Sequence, residues 1–119
     1  MDNVINEKFD EITGILNIRR FSKGYIYLYE MMNIIIDDAT HEAKYMNFKH
    51  VCKMVAEKVG KSQDAIVRAL RYAIYKTDTN TLLQYFGAET VTPSEFIYGI
   101  AMKISCDLIR KEKYDNGNE

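Results

Sequence analysis

No apolar run in this chain reaches the length of a membrane-spanning helix. The opening stretch, MDNVINEKFDE, lacks the charged-then-apolar pattern of a secretory signal, so a cytoplasmic, non-membrane location is expected. Cysteine is scarce. Cys52 and Cys106 stand far apart, with no second Cys or His at metal-ligand spacing, and are expected to be buried thiols in a reducing compartment. There is no GxGxxG, GxxxxGK, HExxH, CxxC or GxSxG. No serine or cysteine nucleophile has an adjacent histidine base. Asp37, Asp38 and His41 read as a polar helix end running into a loop rather than as metal ligands. No catalytic residue, metal or cofactor is therefore expected, and the chain is not expected to be an enzyme. Internal repeats, low-complexity runs and linkers are also missing. With 119 residues, the chain suits one domain with a single core.

Everything present points to helices. Ile66, Ala69, Leu70, Ala73 and Ile74 recur at helical spacing in 62–77, with Ser62 as cap and Asp64 in the first turn, where the helix dipole favours a negative charge. The opposite side carries Asp64, Val67, Arg68, Arg71 and Tyr75. Before it, Phe48 to Val59 forms a second amphipathic helix. Asn47 caps it, and Gly60 suits a left-handed end. Helix, short glycine turn and basic-faced helix make a helix-turn-helix pattern.

The charge distribution agrees with that pattern. The whole chain carries a net −1. Residues 44–76 nevertheless hold eight Lys/Arg against two Asp/Glu, whereas residues 1–43 hold four against eight and residues 77–119 four against seven. The positive excess is either a phosphate footprint or a solvated face. Its coincidence with the helix-turn-helix favours phosphate. Lys49, Lys53 and Lys61 are the phosphate candidates, and Gln63, Asp64, Val67, Arg68 and Arg71 the base-reading candidates. Asp64 either accepts from a cytosine amino group or only favours the helix end.

The remaining helices follow in order. Residues 3–20 carry an apolar stripe of Val4 or Ile5, then Phe9, Ile12 and Leu16, with Arg19 and Arg20 at the end. This helix packs either on the core or on a second copy. After a break at 22–24, residues 25–38 form a core helix, with Tyr25, Leu28, Tyr29, Met32, Ile35 and Ile36 on one face. Residues 39–47 are a polar connector. A short helix at 81–87 seals the core with Leu82, Leu83 and Phe86. Thr92, Pro93 and Glu95 then open a last helix with a capping box, its inner stripe being Phe96, Ile100, Ile104 and Leu108. The expected fold is an all-α, compact bundle of about six helices containing the helix-turn-helix. Its parts are an N-terminal helix (1–22), the helix-turn-helix unit (23–112) and a disordered tail (113–119).

Four segments, KGYIYLYEMM, VAEKVGKSQDAIVRALRYAI, LLQYFG and TPSEFIYGIAMKI, resemble in the same order the C-terminal effector domain of the stage-zero sporulation response regulator, a transcription factor family of endospore-forming bacteria. The resemblance runs from Lys23 to Ile104. Its most specific pieces are Arg68–Ile74, Phe86–Gly87 and Pro93–Phe96. It implies an all-helical domain, a helix-turn-helix at the place given above, and binding to duplex DNA, often as tandem copies. Full-length members carry a receiver domain ahead of this one, whereas here a single helix precedes it. In the best-known members the recognition helix presents Arg, then Glu two residues on, then Arg. Ala65, Val67 and Arg68 stand at those positions. An arginine reads guanine bidentately and alanine cannot, although Ala65 or Val67 can meet a thymine methyl. The expectation is therefore either a different DNA site, or a scaffold that serves a regulatory protein partner or a second copy of itself.

Overall fold

The structure is a computed structural model and describes residues 3–38 and 47–116, with side chains as far as Cys106. The described residues form six helices and no strand: α1 (Asn3–Ile15), α2 (Lys23–Asp38), α3 (Phe48–Val59), α4 (Gln63–Lys76), α5 (Thr79–Phe86) and α6 (Pro93–Asn116). The all-α bundle read from the sequence is the fold observed.

One apolar core runs through it, from Ile5 on α1 to Ile104 on α6. Phe9, Leu28, Met31, Met32, Ile66, Leu70, Phe96, Ile97, Ile100 and Ile104 have no measurable exposure. The α1 stripe of Ile5, Phe9, Ile12 and Leu16 lies inside this core, so α1 packs on its own domain. The Phe9 ring meets Tyr25 at 5.2 Å and Tyr29 edge-on at 5.6 Å. Tyr25 also donates its hydroxyl to Asp10 at 2.6 Å. Burial, then this carboxylate, raises the Tyr25 pKa above the ordinary phenol value.

Several ends are cut as the sequence indicates. Asn47 accepts from the His50 amide at 2.8 Å, and Gly60 closes α3 at φ 70°. Thr92 and Glu95 exchange two bonds of 3.1 Å, the reciprocal capping box. Those bonds to Thr92 hold the Glu95 carboxyl below its ordinary pKa.

Other expectations are corrected. The first helix stops at Ile15 rather than continuing to Arg20. Asn17 adopts φ 59°, its amide reaches Gly14 at 3.1 Å, and the Ile18 amide reaches Thr13 at 2.9 Å. That is a Schellman stop with asparagine as the left-handed residue, and buried Ile18 is its apolar lock. Arg19 and Arg20 thus lie in a turn. The second helix begins two residues earlier than expected, because Ser22 accepts from the Tyr25 amide at 3.2 Å and starts it. Tyr27 and Met31 are buried besides the expected face, while Ile26 is exposed. Leu83 is also exposed rather than sealing the core. Cys52 is buried, but Cys106 is exposed, two residues after buried Ile104 on α6. α6 itself continues to Asn116, into the stretch expected to be a disordered tail. The connector at 39–46, the side chains of Asp37, Asp38, His41 and Leu108, and residues 117–119 lie outside the described residues. No described helix is long and apolar enough to cross a membrane.

Candidate nucleic-acid interface

Three residues, Gly60 to Ser62, separate α3 from α4. Gly60 turns the chain in the left-handed region, and the Lys61 amide returns to the Ala56 carbonyl at 3.0 Å. Ser62 then accepts from the Ala65 amide at 3.1 Å and starts α4. The turn is thus closed by hydrogen bonds on both sides, which sets α4 firmly against α3.

α4 buries Ile66, Leu70 and Ile74. Val67 is half-buried and packs against the core, one position round the helix from that stripe. This corrects the outward role expected of it. The outer face of α4 is rotated from the expected one by roughly 60° about the helix axis. It is centred on Arg68, Tyr72 and Tyr75, and the two tyrosines are 62% and 83% exposed. Packing against neighbouring helices does not account for either ring.

That face lines a groove of ≈1290 Å³. Its other wall is the α1–α2 turn, with Asn17, Arg19, Ser22 and Lys23. Six of the lining residues are cationic (Arg19, Lys23, Lys61, Arg68, Arg71 and Lys76) and none is acidic. The floor is made of small residues, Gly24, Ala65, Ala69 and Ala73. α2 and α4 cross closely there: a Cβ on Gly24 would stand 3.3 Å from the Ala73 methyl. Lys76 caps one end of the groove, its ammonium 5.5 Å from the centre of the Tyr72 ring.

The groove gathers part of the expected set. Lys61, Arg68 and Arg71 line it. Gln63 and Asp64 are exposed at the start of α4 but do not line it. Lys49 and Lys53 are exposed on α3 and do not line the groove. Arg19, Lys23 and Lys76 were not expected. Lys76 was legible, since it stands four residues after Tyr72 on one helix. Arg19 and Lys23 carried no signal, because only the tertiary packing of the turn brings them to α4.

Two cations near this surface are already engaged. Lys58 is ion-paired with Glu30 of α2, whose carboxylate raises the lysine pKa. Arg20 points to Asp10 at 3.7 Å and lies 5.3 Å from the Phe21 ring centre. The neighbouring arginines of the turn therefore divide, Arg20 toward α1 and Arg19 toward the groove.

Burial pushes the Cys52 thiol up to about 11, which leaves it protonated at neutral pH. Among the described residues, no group of three or more His, Cys, Asp and Glu is placed to hold a metal ion. A wide groove with cationic walls, a small-residue floor and exposed tyrosines suits a polyanion with flat or methyl-bearing edges. No protein-family model, curated protein or solved structure matches this chain.

Proposed function

We propose that this chain is a duplex-DNA-binding transcriptional regulator of the sporulation-effector type, with α4 as its recognition helix. The observation that carries the reading is the α4 face of the groove. Lys61, Arg68, Arg71 and Lys76 converge there with no carboxylate among the lining residues. Four cations without a counter-charge are poorly placed for stability, because like charges on one face repel. They are well placed for phosphate. The helix-turn-helix connection and the family resemblance support the same reading.

In this mechanism α4 enters the major groove. Arg68, nearest the centre of the exposed face, meets base edges, and Ala65 approaches a thymine methyl. Lys61, Arg71 and Lys76 meet phosphates, as do Lys49 and Lys53 where α3 crosses the backbone. Gln63 and Asp64, at the N-terminal end of α4, reach the edge of the recognition surface. The site it reads differs from the family's usual one, since Ala65 stands where that family has an arginine.

A second reading has one observation in its favour. Tyr72 and Tyr75 are large, exposed and outward, as anchors for a protein partner are. In that reading the helical scaffold is kept and the groove takes a regulatory protein.

Fluorescence anisotropy with a random-sequence duplex pool at about 50 and 200 mM salt separates the two, with sequencing of the bound fraction. The five phosphate contacts lower the affinity about five-hundredfold between those salts. An enriched motif establishes a sequence-specific regulator. Absence of binding at the lower salt overturns the DNA reading and leaves the protein partner.

A further inference from the structure

The groove has two walls, and the helix-turn-helix supplies only one of them. The other, the α1–α2 turn, is fastened to α4 at both of its ends. Where α1 finishes, the Thr77 hydroxyl donates to the Leu16 carbonyl at 3.1 Å, in a buried position. Where α2 begins, Gly24 lies against Ala73 and the Ala69 carbonyl, leaving 3.3 and 3.5 Å to an added methyl. Between these anchors the turn is internally bonded, with the Ser22 amide on the Arg19 carbonyl at 3.0 Å. It also holds Phe21 at φ 64°, a conformation that a bulky L-residue rarely adopts. The Phe21 ring is 72% exposed, so burial of the ring does not hold it there. The turn bonds hold the segment, and the ring meets Tyr25 edge-on at 5.8 Å. Arg19 and Lys23 are exposed on this braced segment and face α4 across the groove.

Dimensions then decide what this wall meets. An α-helix with its side chains is about 10–12 Å across, and the major groove is about 12 Å wide. α4 therefore fills the groove by itself. A segment that stands beside α4 across a shared groove lies over the sugar-phosphate strand bordering the major groove. The cations on that segment meet phosphate oxygens, while the small-residue floor of Gly24, Ala69 and Ala73 leaves room for the ridge of the backbone.

We propose that the α1–α2 turn is a second DNA contact, in which Arg19 and Lys23 hold the phosphates of the strand bordering the major groove occupied by α4. The inference rests on the α4 reading given above and adds a clamp to it. Contacts of this kind fix the register of the protein on the duplex and carry no base information.

The test is the salt slope of binding to the duplex pool, measured by anisotropy. Each phosphate neutralised contributes about 0.9 to the slope of log K against log salt. The Arg19→Ala/Lys23→Ala double variant is expected to lower the slope by about 1.8 and to leave the enriched motif unchanged. The Arg19→Lys/Lys23→Arg variant keeps the charges and is expected to retain the wild-type slope. Arg20→Ala, whose side chain is held by Asp10, is expected to retain it as well. A wild-type slope in the double alanine variant overturns the second contact and leaves the α4 reading standing. An equal loss with Arg20→Ala overturns it too, since the effect would then follow the charge of the turn and not the groove. If wild-type protein fails to bind duplex, or binds a single strand more tightly, both the inference and the α4 reading fall.

Discussion

Replacing Thr77 by valine removes a hydroxyl and leaves the volume of the side chain almost unchanged. Thr77 is 5% exposed and follows the last residue of α4. Its amide donates to the Ile74 carbonyl at 3.0 Å, three residues back instead of four. The Ala73 carbonyl is served instead by the Thr77 hydroxyl, at 2.9 Å. The same hydroxyl lies 3.1 Å from the Leu16 carbonyl at the end of α1. One hydrogen thus covers two carbonyls from different helices. A buried acceptor left without its donor costs about 1–3 kcal/mol, so Thr77→Val is expected to cost about 2 kcal/mol. Thr77→Ser keeps the hydroxyl and loses one methyl group, which costs about 0.8 kcal/mol. Urea unfolding of the three proteins, followed by circular dichroism, measures both costs. The melting temperature of the valine variant is expected to fall by about 8 °C, at about 4 °C per kcal/mol. A valine variant more stable than the serine variant would refute the reasoning, because packing and not the hydrogen bond would then hold α1 to α4.

Arg68→Ala is expected to relax base preference at one position of the bound motif, at a cost of about 1–3 kcal/mol for the preferred base. Lys49→Ala is expected to weaken binding equally on all sequences and to flatten the salt slope by about one unit, so unequal losses across the pool would count against it. An aromatic disulfide reagent at pH 8 is expected to titrate exposed Cys106 in the native protein and Cys52 only after unfolding, and two rapid equivalents in the native state would contradict the burial of Cys52. Stability is expected to decline as pH rises from about 9 to 11, because the native Cys52 thiol keeps its proton to about 11 while the unfolded thiol loses it at 9.0. The full shift is worth about 2–3 kcal/mol. Tyr25 and Tyr98, both raised chiefly by burial, act in the same direction above pH 10. Unfolding midpoints that stay level from pH 8 to 11 would contradict this, and Cys52→Ala is expected to shrink the decline.

Many helix ends governed by a local rule were legible, although the Ser22 cap of α2 and the Asn17 stop of α1 were missed. Asn47, Ser62 and Thr92 cap their own helices, and Gly60 and Gly87 stop theirs at φ 70° and 73°. None of these depends on distant residues. The errors fall where a local pattern competes with a tertiary one. Arg19 and Arg20 suit the end of a helix, yet buried Ile18 closes α1 three residues before Ile18 itself, through the bond to Thr13. Leu83 has the spacing of a core residue on a helix too short to turn all its apolar positions inward. Cys106 is apolar enough to suggest burial but lies beyond the reach of the core at Ile104.

The site was legible in the same uneven way. Lys61, Arg68 and Arg71 were found because the charge bias and the helix-turn-helix coincide. The face of α4 was placed too close to Val67, because periodicity gives the apolar stripe but not how far a neighbouring helix overlaps its edge. The core reaches round α4 as far as Val67, and this turns the open face away from Val67 toward Tyr72 and Tyr75. Arg19 and Lys23 were beyond sequence reasoning, since their place opposite α4 depends on the Thr77–Leu16 bond and on the fit of Gly24 to Ala73.

The most direct measurement is amide shift mapping by NMR on the full chain, titrated with a short duplex carrying the enriched motif. The account predicts that the largest changes fall on residues 61–76 of the turn and α4 and on residues 17–24 of the α1–α2 turn, with smaller ones at the start of α3. Changes confined to α5 and α6, or none at saturating duplex, would contradict it.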